Sequence, residues 1–201
     1  MNIDMNKLIN TTPGIIDSEI CTCYSILVPI IRSAGHDSLV FEVRSDKLTK
    51  QPSEICFPGG RIENGESKEA AALRETSEEL MISQGSIRLI NELDTVVTPF
   101  NKILYPFAGT LENYEGTYNE DEVKEIFTVP VDYLLTAEPQ YDMVDVILEP
   151  SENFHFEYVQ NGRDYPWVKG KYPVYFYFYE NKIIWGMTAK ILRNFIRLIK
   201  S

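Results

Sequence analysis

The sequence predicts a single layered α/β (α+β) domain built on a mixed sheet, and three observations lead there. Segments rich in β-branched and aromatic residues recur between turn signals from about residue 20 onward; one helical periodicity interrupts them from about Ser67 to Met81; a second helical pattern closes the chain. With 201 residues and 44% hydrophobic content the chain can bury one core, and no internal repeat or low-complexity linker divides it. The single domain is expected over 1–201, its core over about 20–200, with residues 1–20 as an N-terminal extension.

In chain order, CTCYSILVPII is the first strand, SAGHDS a turn that holds His36, LVFEVR a second strand, and EICF a short third one running into Pro58-Gly59-Gly60. After the first helix come strands in SIRLINELDTVV, KILYPFAGTL and EVKEIFTVP, then a short helix around VDYLLTA. Further strands are expected in YDMVDVIL, in FHFEYV, which contains His155, and in VYFYFY. The closing helix, TAKILRNFIRLIK, repeats Ile191, Leu192, Phe195, Ile196, Leu198 and Ile199 at helical spacing.

A formal charge of −11 disfavours any general affinity for the nucleic-acid backbone. Cys21, Cys23 and Cys56 form neither a CxxC pair nor an even disulfide framework, so they are expected as small apolar packers in a reducing cytoplasm. MNIDMNKLINTTPG lacks the basic start and apolar run of a signal peptide, and no later segment has the length of a membrane span. A soluble cytoplasmic protein without nucleic-acid or membrane partners is therefore expected, and a homodimer is allowed.

The first helix concentrates Glu75, Glu78 and Glu79 in a sector of roughly 100°. The opposite stripe, Ala70, Leu73, Ser77, Leu80 and Met81, is the expected packing face, while Ala71 and Ala72 leave room beside the acids. The plain alternative is a solvated acidic face. Yet Glu75 and Glu79 are a like-charge i,i+4 pair that costs a few tenths of a kcal/mol, a sign that divalent cations would reverse. Mg²⁺ and Mn²⁺ take oxygen ligands of this kind.

Gly60, then five residues, Glu66, then seven residues and Arg74-Glu75-Thr76-Ser77-Glu78-Glu79 resemble the Nudix box, G-x5-E-x7-R-E-U-x-E-E-x-G-U. Thr76 replaces the usual aliphatic residue, its methyl expected toward the core. Met81 replaces the final glycine, so the helix is expected to run on toward Gly85. The resemblance implies an α/β/α sandwich whose loop-helix-loop box hydrolyses a nucleoside diphosphate linked to a second moiety. It also implies that Glu75, Glu78 and Glu79 bind Mg²⁺ or Mn²⁺ with the Gly60 carbonyl as a further ligand, that Arg74 pairs with and orients a glutamate of the box, and that Glu66 supports that pair. Such cations relieve the charge of the diphosphate and lower the pKa of bound water. The base is either a box glutamate or an acid of YNEDEVKEIF, where Glu120, Asp121 and Glu122 are the candidates and Glu122 is favoured.

Upstream, RSDKLTKQPSEICFPGG resembles the signature of the coenzyme A pyrophosphatase subgroup through Arg44, Ser45, Leu48, Glu54, Ile55, Phe57, Pro58, Gly59 and Gly60. Thr49, Gln51 and Ser53 stand where that pattern has Arg, His and Gly. The implied substrate is coenzyme A or a derivative, split into adenosine bisphosphate and a phosphopantetheine; Arg44, Lys47 and Lys50, with Arg61, are the candidate anion cradle. Alternatives are ADP-ribose, another dinucleotide or a nucleoside triphosphate, and a catalytically silent nucleotide sensor. Trp185 and Gly186 either help close the pocket or belong to core packing, and a VYFYFY tyrosine either stacks on a base or is only part of a strand. His36 and His155 have no partner at metal spacing and are given no catalytic role.

Overall fold

Strand β1 (Thr22–Ser33) organises the molecule because it carries different partners along one edge. In this computed structural model, which describes residues 5, 9–33 and 35–200, β2 (His36–Arg44) returns from β1 as an antiparallel hairpin and pairs Leu39 with Ile30. Lower on the same edge, β4 (Gly59–Arg61) pairs with Tyr24, Ser25 and Ile26. Between these two partners the sheet branches, and the Leu27 N–H donates to the Pro58 carbonyl at 2.9 Å. The short β3 (Ile55–Cys56) lies along β2. Beyond α1 (Lys68–Leu80) come β5 (Ile87–Glu92), β6 (Val96–Val97), β7 (Lys102–Leu111) and β8 (Val123–Pro130). Strand β7 runs parallel to β1 from Thr22↔Lys102 to Ile30↔Thr110, and the remaining pairings are antiparallel, so the eight-stranded sheet is mixed as expected.

Alternation along the strands fills both faces. Val28, Leu39, Phe41, Leu104 and Ala108 join one cluster, their neighbours Leu27, Val40 and Phe107 the other. The second cluster is closed by Ala72 and Leu80 of α1. The first is covered by α2 (Val131–Thr136), by the sheet of β9 (Gln140–Ile147), β10 (Lys169–Tyr179) and β11 (Lys182–Trp185), and by α3 (Gly186–Lys200) through Leu134, Tyr177, Ile184, Leu192 and Phe195. The layers are those of an α/β/α sandwich.

Four local expectations are corrected. FHFEYV is no strand, and Phe156–Tyr158 form a 3-10 turn instead. His36 opens β2 rather than lying in the turn; Ala34 of that turn falls outside the described residues. Helix α1 does not run on: Met81 adopts the left-handed conformation (φ 52, ψ 46) that the family glycine would supply, and its N–H donates to the Ser77 carbonyl. The buried face of α1 is Ala71, Ala72, Thr76, Glu79 and Leu80, while Ala70 and Met81 are exposed. Of the N-terminal extension, residues 5 and 9–20 are described, and Ser18–Ile20 form a 3-10 turn.

Candidate active site

The branch in the large sheet receives the glycine pair and the N-terminal half of the box. A Cβ at Gly59 would overlap the Ser25 carbonyl oxygen and the Ile26 Cα, and its φ of 153 lies where side chains are disfavoured. A Cβ at Gly60 would occupy the place of the Glu75 carboxyl group. The backbone thus approaches α1 closely enough for the Gly59 N–H to donate to Glu79 Oε2 at 2.8 Å. Ser67 caps the helix, accepting from Ala70 N–H at 3.1 Å.

Arg74 holds the acids in a fan. Its Nε and Nη2 donate to the two Glu66 oxygens, each at 2.9 Å, its Nη1 to Glu75 at 2.8 Å and more weakly to Glu78 at 3.5 Å, and Nη2 also reaches the Arg61 carbonyl. The bidentate pair lowers the Glu66 carboxyl to about 2. Arg74 is thus paired with glutamates of the box, Glu66 and Glu75. Glu78 is the exposed member of the trio.

Glu79 is 4% exposed, and burial pushes its carboxyl well above the usual range, with Glu42, Glu75 and Glu122 adding repulsion. Glu75 is raised for the same first reason, desolvation, despite Arg74. Glu42 was not singled out from the sequence. It sits on β2 opposite Cys56 of β3, only 1% exposed, accepts from the Cys56 thiol at 3.0 Å, and is raised by burial to about 7. Burial and the two acids in turn raise the Cys56 thiol, which is no mere apolar packer. The available signal was one acid in the run LVFEV, whose flanking residues are all buried.

The downstream acid reaches the same place because its loop is tied to the end of α1. Asn119 N–H donates to the Glu79 carbonyl at 2.8 Å and the Thr117 hydroxyl to the Leu80 carbonyl at 2.7 Å, satisfying helix-terminal acceptors. Ser45 N–H then binds the Glu122 carbonyl at 2.8 Å, while Asp46 pairs with Lys124 and Lys47 with Asp121. Glu122 is thereby brought near the cluster, its charge being among those that raise Glu42, Glu75 and Glu79. Of the candidate cradle, Arg44 borders the acids with a buried Nε that has no partner. Lys47 is held by Asp121, and Lys50 and Arg61 are exposed. Trp185 stacks on Phe176, and Gly186 begins α3. A concavity of about 460 Å³ lined by Ile30, Asp37, Ile90 and Asn113 shares no residue with the carboxylate cluster.

The profile of the Nudix domain matches residues 23–147. The chain belongs to the Nudix family. The peroxisomal coenzyme A diphosphatase NUDT7 of Mus musculus is 35% identical over 144 residues, covering 71% of this chain and 56% of that protein. Nudix hydrolase 3 of Caenorhabditis elegans is 36% identical over 128 residues, covering 59% and 52%. The chain thus spans little more than half the length of these relatives. A MutT/nudix family protein from Enterococcus faecalis superposes with a TM-score of 0.53 over 98% of this chain and 68% of its own, at 15% identity, a likeness of fold alone. No helix among the described residues is long and apolar enough to cross a membrane.

The acids of this Nudix box, with Glu42 of β2 beside them, fit a divalent cation by two observations. Hard oxygen donors are gathered with a buried one, Glu42 Oε2, left without a hydrogen-bond partner, and the bare Gly60 leaves the Glu75 carboxyl room against the backbone. Among the described residues no three acidic, thiol or imidazole groups meet as a ready-made cage.

Proposed function

We propose that the chain is a Mg²⁺- or Mn²⁺-dependent hydrolase that splits the phosphoanhydride of coenzyme A or a derivative. The observation that carries this reading is the sunken Glu79, anchored by the Gly59 N–H, with Glu42, Glu75 and Glu122 repelling it and Arg74 and Arg44 as counter-charges to its acidic neighbours. Glu75, Glu78, Glu79 and the Gly60 carbonyl would hold the cations. When bound, these neutralise the diphosphate and make a bound water acidic enough to attack phosphorus. Arg74 keeps Glu75 and Glu78 oriented, Glu122 would take the water's proton, and Arg44, whose buried Nε has no partner, would add positive charge beside the acids.

The substrate choice is supported by the name of the Mus musculus relative and by the loop 45–54 being fastened to the segment that carries Glu122. A cytoplasmic location belongs to the same reading and rests on three free cysteines. The second reading, ADP-ribose or another nucleotide, is favoured by Thr49, Gln51 and Ser53, which differ from the coenzyme A signature. The test is a panel of coenzyme A, acyl derivatives, ADP-ribose, a dinucleotide and a nucleoside triphosphate with Mg²⁺ or Mn²⁺. Release of adenosine bisphosphate and phosphopantetheine from coenzyme A is expected. Faster turnover of another compound with coenzyme A untouched selects the second reading, and binding without cleavage at any metal concentration marks a silent sensor.

A further inference from the structure

We propose that Glu42 is a fourth acidic residue of the cation site, contributed by the sheet rather than by the helix, with Oε2 facing the cation directly or through a cation-bound water. This deepens the reading above and rests on it. The placement follows from strand parity: Val40 lies in the cluster closed by α1, while Leu39 and Phe41 lie in the opposite one, so Glu42 and Arg44 share the α1 side with Val40. Register sets Glu42 beside Cys56 on β3 and Ile126 on β8. The charged and titratable groups facing it are Cys56, Arg44, Glu122, Glu75, Glu79 and Tyr114.

Only one of its oxygens is satisfied, by a weak thiol donor at 3.0 Å; Oε2 is sealed from water and has no hydrogen-bond partner. Arg44, the nearest cation, makes no hydrogen bond to it. A carboxylate so placed is strongly unfavourable unless paired, protonated or bound to metal. A purely structural position here would be filled best by an apolar residue like its neighbours Phe41 and Val43, both buried. The acid therefore serves for its charge, and the unsatisfied oxygen points to the ligand that would satisfy it.

The experiment is Mn²⁺ titration of the metal-free full chain by calorimetry, on the unsubstituted protein and on Glu42→Gln, with thermal unfolding of both. Glu42→Gln keeps the shape of the side chain and removes its charge. The expected result is a loss of Mn²⁺ affinity of at least about tenfold, with the metal-free melting temperature equal or higher. Undiminished Mn²⁺ affinity in Glu42→Gln would show a structural residue and overturn the proposal. If the unsubstituted chain itself fails to bind Mn²⁺, the functional reading falls, and this inference with it. Should Glu42→Gln not fold, Glu42→Asp, which withdraws the carboxyl by one methylene, carries the same readout: weakened binding supports the proposal and unchanged binding overturns it.

Discussion

The two long helices bury their faces for opposite reasons. Helix α3 buries Thr188, Ala189, Ile191, Leu192, Phe195 and Ile196, a nearly continuous apolar stripe, and the sequence periodicity located most of it. Leu198 and Ile199, at the end of that stripe, are 38% and 46% exposed. Helix α1 buries Ala71, Ala72, Thr76, Glu79 and Leu80; of the packing face read from the sequence Leu80 is buried and Leu73 packs beside it, while Ala70 and Met81 are exposed. Hydrophobic periodicity reveals a buried face when apolar contact is the reason for burial. Where a side chain is buried for its charge, the same rule points the helix the wrong way. In α1 Glu79 and, less deeply, Glu75 face inward toward the branch of the sheet, Glu78 stays exposed, and the small residues beside them allow the approach.

That contrast can be broken by substitution, beginning with the strongest effect. Glu79→Gln should lower turnover by about a thousandfold while the metal-free melting temperature holds or rises, because a buried charge with few partners is removed. Equal activity with an unchanged metal requirement would return Glu79 to a structural role. On α3 the pattern should invert: Leu192→Ala, at a fully buried site, should cost about 3 kcal/mol of stability in denaturant titration, with turnover per folded molecule unchanged.

A pH series sharpens the comparison. The Glu42 carboxyl is raised from 4.5 to about 7 in the folded chain, chiefly by desolvation. The folded state therefore holds this proton more tightly than the unfolded state. Its stabilising contribution is complete below about 4.5 and is lost as pH rises through about 7. Metal-free protein should lose on the order of 2 kcal/mol over that window, and Glu42→Gln should flatten the slope. The smallest effects lie at the two departures from the box. Met81→Gly should add about 0.5 to 1 kcal/mol by relieving a left-handed methionine. Thr76→Val should add a similar amount, since the Thr76 hydroxyl is buried without a partner.

Much of the site was legible because its chemistry is local. The spacing Gly60, Glu66, Arg74, Glu75, Glu78, Glu79 lies in one turn and one helix, and the Arg74 fan connects residues whose sequence separation already implied contact. Even the departures had structural echoes: Ser53 stands where the subgroup signature has Gly and adopts φ 60, as Met81 adopts φ 52. The backbone kept a conformation that the side chain no longer favours, because hydrogen bonds on either side hold it, including Ile82 N–H to the Ser77 carbonyl and Ser53 N–H to the Arg44 carbonyl.

The sequence by itself determined the family, the layered architecture, the box helix with its acids, and the closing amphipathic helix, since each rests on residues near one another in the chain. Only the tertiary structure decided which way α1 faces, that Glu42 and Cys56 border the acids, and that the loop leading to Glu122 is tied through Thr117 and Asn119 to the carbonyls ending α1. Those facts depend on strand register and on where the sheet branches between β2 and β4. Register is set by the packing of many distant apolar residues at once, so a single charged side chain such as Glu42 carries no local sign of what it will face.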